Sequence, residues 1–123
     1  MGNKVLVVED NDALRQFYVQ QLADEGFQVI EAADGHAALR EFETKRPDVV
    51  VLETYMPGGD GIDVLGRLVS ARHSASIVVN SADTSFDASR LTGDADAFVA
   101  KSGDISELVR TVHRFADAAP HTV

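Results

Sequence analysis

A chain of 123 residues, 45 % apolar and 25 % charged, has the size and composition of one globular domain, one that buries about 65 % of its unfolded surface. No apolar run approaches the roughly 20 residues of a membrane span, and Met-Gly-Asn-Lys at the start lacks the order of a secretory signal, so a soluble, cytoplasmic protein is expected. Eleven basic against twenty acidic residues, a net charge of −9, oppose direct contact with nucleic acid or a membrane surface and favour protein partners; zero cysteines exclude disulfides, thiolate metal sites and cysteine nucleophiles.

Lys4 to Val8 is a β-branched run that reads as a first strand. Asn11 or Asp12 caps a helix whose Leu14, Phe17, Tyr18 and Leu22 fall on one face, and Gly26 ends it. Phe27 to Ala32 is a second strand. Asp34 caps a helix carrying Ala38, Leu39 and Phe42, which must stop before Arg46-Pro47 because proline disfavours helical geometry in the residue before it. Asp48 to Leu52 is the third strand, and Gly61 to about Ala71 a helix with Ile62, Leu65 and Leu68. Ser76 to Asn80 is a fourth strand, followed by a weaker fourth helix over about Asp83 to Leu91. Ala97 to Ala100 is the fifth strand, and Asp104 caps a last helix that buries Ile105, Leu108, Val109 and Val112.

Strands that are apolar throughout suit a parallel sheet covered on both faces, and the five strand–helix alternations supply the covering helices. The expected fold is an α/β doubly wound sandwich, a single domain over residues 1–123 with 118–123 as a frayed tail. Periodicity does not fix the strand order; the flavodoxin-like 2-1-3-4-5 is one of the two common choices and the one expected here.

Sites in such sheets form outside the carboxyl ends of the strands. Those ends carry Glu9 and Asp10, then Glu53, then Asn80 and Ser81, then Lys101. Three carboxylates about 5 Å apart repel by roughly 3 kcal/mol per pair at an effective dielectric near 20, a cost that a cation or proton uptake must offset. Lys101 offers one positive charge; Mg²⁺, which takes one or two carboxylates with waters and phosphate oxygens, would offer more.

Over residues 3 to 117 the chain resembles the receiver domains of two-component response regulators. V-L-V-V-E-D-N is similar to that family's first strand and acidic pair, which implies Asp10 as a direct metal ligand and Glu9 as an acid acting through water. M-P-G-G-D-G, residues 56 to 61, resembles the turn after the phosphorylation site, which lies four positions before the proline; four before Pro57 is Glu53. The resemblance further implies Ser81, followed by Ala82, as the hydroxyl that bonds the phosphoryl group and Lys101 as the lysine that pairs with it. It implies Tyr55 as the residue whose backbone carbonyl completes the metal site, and Phe98 as the aromatic switch. It finally implies a non-enzymatic module in a phosphorelay that meets a sensor kinase or effector through the fourth helix, fifth strand and last helix, with no output domain in this chain.

Two departures stand out. The family's phosphoacceptor is aspartate; the extra methylene of Glu53 moves the carboxylate outward, adds a rotor and spoils in-line attack on a phosphodonor. The same length carries its charge toward Ser81 and Lys101, so Glu53 is either a weak mimic of the phosphorylated state or one arm of a structural Glu53–Lys101 ion pair closing a vestigial pocket. Mg²⁺ is expected to bind more weakly than to an aspartate form. Second, Ser102-Gly103 follows Lys101 where the family has proline after a cis bond, so a trans bond is expected there.

Other readings of the same residues stay open. Phe98 could be core packing alone, and Met56-Pro57 turn chemistry alone. His36, His73, His113 and His121 have no metal-ligand spacing and read as helix surface. An inert interaction domain with the same fold is the main alternative, and Glu53 could be natural or engineered. A flavin carrier is disfavoured because V-E-D-N-D would repel phosphate, and an aspartyl phosphatase because Glu53-Thr54-Tyr55 lacks the second acid.

Overall fold

The computed structural model describes residues 3–54, 61–71, 75–81, 95–101 and 104–117. In chain order these form β1 (Lys4–Val8), α1 (Asp12–Asp24), β2 (Gln28–Ala32), α2 (Gly35–Lys45), β3 (Val49–Leu52), α3 (Gly61–Ala71), β4 (Ser76–Ser81), β5 (Ala97–Ala100) and a C-terminal helix, α4 (Ser106–Asp117). The expected fourth helix at 83–91 and the 118–123 tail lie outside the described residues.

Five parallel strands pair in the order β2-β1-β3-β4-β5. Alternation along each strand sends side chains to opposite faces, so continuous apolar runs supply two core layers at once. Leu6, Val50, Leu52, Ile77 and Val79 pack with Phe42, Leu65 and Leu68 of α2 and α3. Val5, Val7, Val51 and Val78 pack on the other side with Tyr18 and Leu22 of α1 and Leu108 and Val112 of α4. Each fully buried Leu or Val is worth about 1.5–3 kcal/mol, so the two layers fix strand register and hold the strand ends at a common edge.

The helix boundaries follow local chemistry. Asn11 Oδ1 accepts the Leu14 N–H at 2.9 Å and Asp34 Oδ1 the Ala37 N–H at 2.8 Å, each capping one start. α2 closes on Arg46 at φ 48°, a left-handed cap directly before Pro47.

Several details differ from the pattern. Phe17, expected on the buried face of α1, is 46 % exposed; its neighbour Tyr18 takes the inward position instead. Ile105 and Val109 are half-buried, because the buried stripe of α4 runs through Leu108, Val112 and Ala116. β4 runs one residue further than expected, since Ser81 pairs with Ala100. Asp48 precedes β3 and serves as a tie, its carboxylate accepting the Lys4 N–H at 3.0 Å.

Candidate functional site

The order 2-1-3-4-5 makes β1 the strand from which the chain winds to either side, so the crevice falls between the ends of β1 and β3. Val8 pairs with Leu52, which makes the next residues, Glu9 and Glu53, neighbours across that crevice. The Glu53 N–H donates to the Val8 carbonyl at 3.0 Å and the Glu9 N–H to the Ala32 carbonyl at 3.1 Å, so backbone bonds fix where both side chains start. On the far side the Lys101 N–H donates to the Ser81 carbonyl at 3.0 Å, anchoring the lysine at the end of β5.

From those anchors Lys101 spans the crevice. Its Nζ lies 2.5 Å from Glu9 Oε1 and 3.1 Å from Glu53 Oε1, and the three side chains are 15 %, 3 % and 6 % exposed. The second oxygens are also occupied: Glu9 Oε2 accepts the Asn11 N–H at 3.0 Å, and Glu53 Oε2 accepts the Thr54 N–H at 3.1 Å. Charge-assisted hydrogen bonds in so dry a setting are strong and directional.

The electrostatics follow from this burial. Loss of water pushes the Glu53 carboxyl above the usual range; attraction to Lys101 and a hydrogen bond from it pull the other way, Glu9 adds to the rise, and the Ser81 hydroxyl opposes it. For Lys101, burial alone would lower the ammonium, but the hydrogen bond to Glu9 and the charges of Glu53 and Glu9 outweigh it and the net shift is upward.

Glu9, Glu53, Ser81 and Lys101 are thus brought together. Ser81 is fully buried and bonds the Glu53 carboxylate. Asp10 is half-buried at the edge of the group. Phe98 is partly buried against the α2–α3 layer. Tyr55, Met56, Pro57 and the bond after Lys101 lie outside the described residues. Among the histidines, His36 is exposed and His113 pairs with Glu25 at 2.8 Å, while His73 and His121 lie outside the described residues.

Two participants were not apparent from sequence. Arg15 clamps the β1–α1 turn: its Nη1 donates to the Glu9 carbonyl at 2.9 Å, Nη2 to Asp12 at 2.8 Å and Nε to Glu31 at 2.9 Å. The Tyr18 hydroxyl, 5 % exposed as a residue, donates to Asn80 Oδ1 at 3.4 Å on the α1 side of the sheet. Burial raises its phenol, and the charges of Lys101, Glu9 and Glu53 all register on it. An acid-rich turn followed one helical turn later by arginine was the available signal for the first; the second depends on residues 62 apart in sequence.

The described side chains do not form a ready-made divalent-ion site in this arrangement. Among the described residues no group of three or more Asp, Glu, His or Cys side chains is placed to hold a metal. All four oxygens of Glu9 and Glu53 already face N–H donors, leaving the Asp10 carboxylate outside the bridge. No described helix is long and apolar enough to cross a membrane.

Comparison with known proteins agrees with the fold. Residues 5–113 match the family model for the response regulator receiver domain. Sporulation initiation phosphotransferase F of Bacillus subtilis is 30 % identical over 117 residues, covering 94 % of each chain. Transcriptional regulatory protein PdtaR of Mycobacterium tuberculosis is 34 % identical over 89 % of this chain, which spans 54 % of that relative's length. The response regulator TrrA of Thermotoga maritima, solved in complex with Mg²⁺-BeF, superposes with a TM-score of 0.85 at 29 % identity, over 92 % of this chain and 98 % of that one. The chain belongs to the response regulator receiver domain family.

Proposed function

We propose that this chain is a receiver-type module of a two-component phosphorelay in which Glu53 does not accept a phosphoryl group, so that it works in the cytoplasm by protein contact and without enzymatic turnover. The observation that carries this reading is the Glu53 carboxylate itself, buried and held 3.1 Å from the Lys101 ammonium at the position of the family's phosphoacceptor. Phosphoryl transfer requires a carboxylate oxygen to approach phosphorus in line as the donor's P–O bond breaks. Here Oε1 is turned to Lys101 and Oε2 to the Thr54 N–H. Asp10, Glu9 and the Tyr55 carbonyl are the residues for Mg²⁺ on the family pattern, and the engagement of Glu9 and Glu53 supports weaker binding than in a Glu53→Asp variant.

Partners are proteins: a sensor kinase or a downstream effector, met through the helix expected over 83–91, β5 and α4. The net charge of −9 supports a basic partner surface and disfavours nucleic acid. TrrA has been solved in complex with the histidine kinase ThkA, which supports a kinase as one partner class. The closed Glu9–Lys101–Glu53 bridge also favours a second reading, an interaction domain whose pocket is inert.

The two separate by the direction of amide NMR shifts at Ser81, Phe98 and Lys101. If Glu53 is a fixed on-signal, the Glu53→Asp variant treated with Mg²⁺ and an acyl phosphate moves toward the untreated wild-type spectrum. If the wild type represents an off-state, the treated variant moves away from it. An inert pocket predicts no movement in either protein and unchanged partner binding on replacement of Glu53.

A further inference from the structure

The three acids and one lysine at the strand ends raise a question of charge balance that the family resemblance leaves unanswered. Glu9 and Glu53 belong to two different strands, are almost wholly removed from water, and share one ammonium. Buried carboxylates in this relation need a counter-ion within contact distance.

We propose that the Lys101 ammonium is the resident counter-ion of this pocket, occupying the place a divalent cation would need, so that the ends of β1, β3 and β5 are tied together without metal. The inference rests on the receiver-type reading of the pocket and goes beyond it by assigning the cation's structural task to a side chain.

Three observations carry it. The ammonium bonds both acids at once, at 2.5 Å and 3.1 Å. Each acid's remaining oxygen also accepts a backbone N–H, from Asn11 and Thr54, so a metal would have to share oxygens that are already hydrogen-bonded and compete with the ammonium for them. No three acidic or imidazole side chains are grouped for a metal among the described residues, and Asp10 by itself is a single carboxylate. The ammonium is carried by the chain and forfeits no translational freedom on entering the pocket, whereas Mg²⁺ must be drawn from solution and shed strongly held water.

Glutamate at position 53 then has a reason in its length. An aspartate carboxylate would be drawn back by one carbon–carbon bond, about 1.5 Å, which lengthens the 3.1 Å contact beyond hydrogen-bond range. The shared lysine would fall to Glu9 alone and the carboxylate at 53 would be open to a cation. Glu53 thus completes the bridge rather than merely blocking phosphorylation.

The test uses Mn²⁺ as probe on the intact chain, with paramagnetic broadening of the Asn11 and Thr54 amides as one readout and the shift of thermal midpoint in Mg²⁺ as the other. Wild type is expected to show no midpoint shift and weak broadening. Lys101→Met and Lys101→Gln are expected to bind Mn²⁺ at least about tenfold more tightly than wild type, with Glu53→Asp between them, the scale on which neighbours of a metal site act. If a lysine variant is unfolded without metal, Mn²⁺ is expected to refold it. Tight binding by wild type, no gain in the lysine variants, or an unfolded variant that Mn²⁺ does not rescue would each overturn the proposal. A wild type that gains a phosphoryl group by mass would instead overturn the reading of Glu53, and the Mn²⁺ titration would still decide the role of Lys101.

Discussion

Replacing Lys101 by methionine keeps the apolar stem and deletes the charge. The contacts of 2.5 Å and 3.1 Å correspond to gross attractions of about 7 and 5 kcal/mol at an effective dielectric near 20. Laid end to end, those contacts place the two acidic oxygens within about 5.6 Å, so their mutual repulsion is at least about 3 kcal/mol once the ammonium is gone. Against this stand the recovered cost of dehydrating the ammonium and the freed side-chain entropy, which cancel most of the gross attraction. Breaking a buried pair by removing one partner costs about 3–5 kcal/mol in measured cases, and that is the loss expected here. Urea unfolding of both proteins at neutral pH, without divalent ions and followed by circular dichroism, measures it. Because the Lys101 pKa is raised above 10.5, its contribution is fully present below pH 10.5 and is lost as the pH rises through the folded value. The gap between the two proteins should therefore hold from pH 7 to 10 and close above that range. A loss under about 1 kcal/mol at pH 7 would mean that the bridge is no stronger than a surface pair.

Further outcomes follow from other residues. Since burial raises the Glu53 carboxyl, ionising it costs the folded state; Glu53→Gln should be at least as stable as wild type at pH 7, with the difference vanishing below pH 4.5, where both states are protonated. A clear destabilisation in thermal melts at pH 7 would contradict this. Arg46 sits at φ 48°, so Arg46→Gly should stabilise by about 0.5–1 kcal/mol, and a lower urea midpoint would refute the strain assigned to that cap. Asp104 is held below 3.8 by the Ser106 side chain and its N–H, so its support of α4 is present above pH 3.8 and lost as the pH falls through the lower folded value. Asp104→Asn should flatten acid unfolding in that range, and an unchanged profile would show that the cap is idle.

Local chemistry explains why so much was legible in the residues. The β-branched runs at Val5–Val8 and Val49–Leu52 leave no polar face, which forces a sheet covered on both sides, and Asn11, Asp34 and Pro47 mark helix limits through bonds they make or cannot make. What escaped depends on distance along the chain. The Lys101–Glu9 bond joins residues 92 apart, and a sequence offers lysine and glutamate without saying that one ammonium serves two acids. Phe17 and Tyr18 are adjacent and both apolar enough for a helix stripe; partners on β4 and α4 decide that Tyr18 turns inward. Residue types at strand ends point to the acids of the pocket, while the backbone N–H groups of Asn11 and Thr54 that hold them are set by the local path of the chain.

The most direct test of Glu53 as a closed phosphoacceptor position is intact mass spectrometry of the wild type and Glu53→Asp after incubation with Mg²⁺ and a small acyl phosphate. The expected result is an unchanged wild-type mass and a single added phosphoryl group on the variant. A phosphoryl group on the wild type, mapped to Glu53, would contradict it.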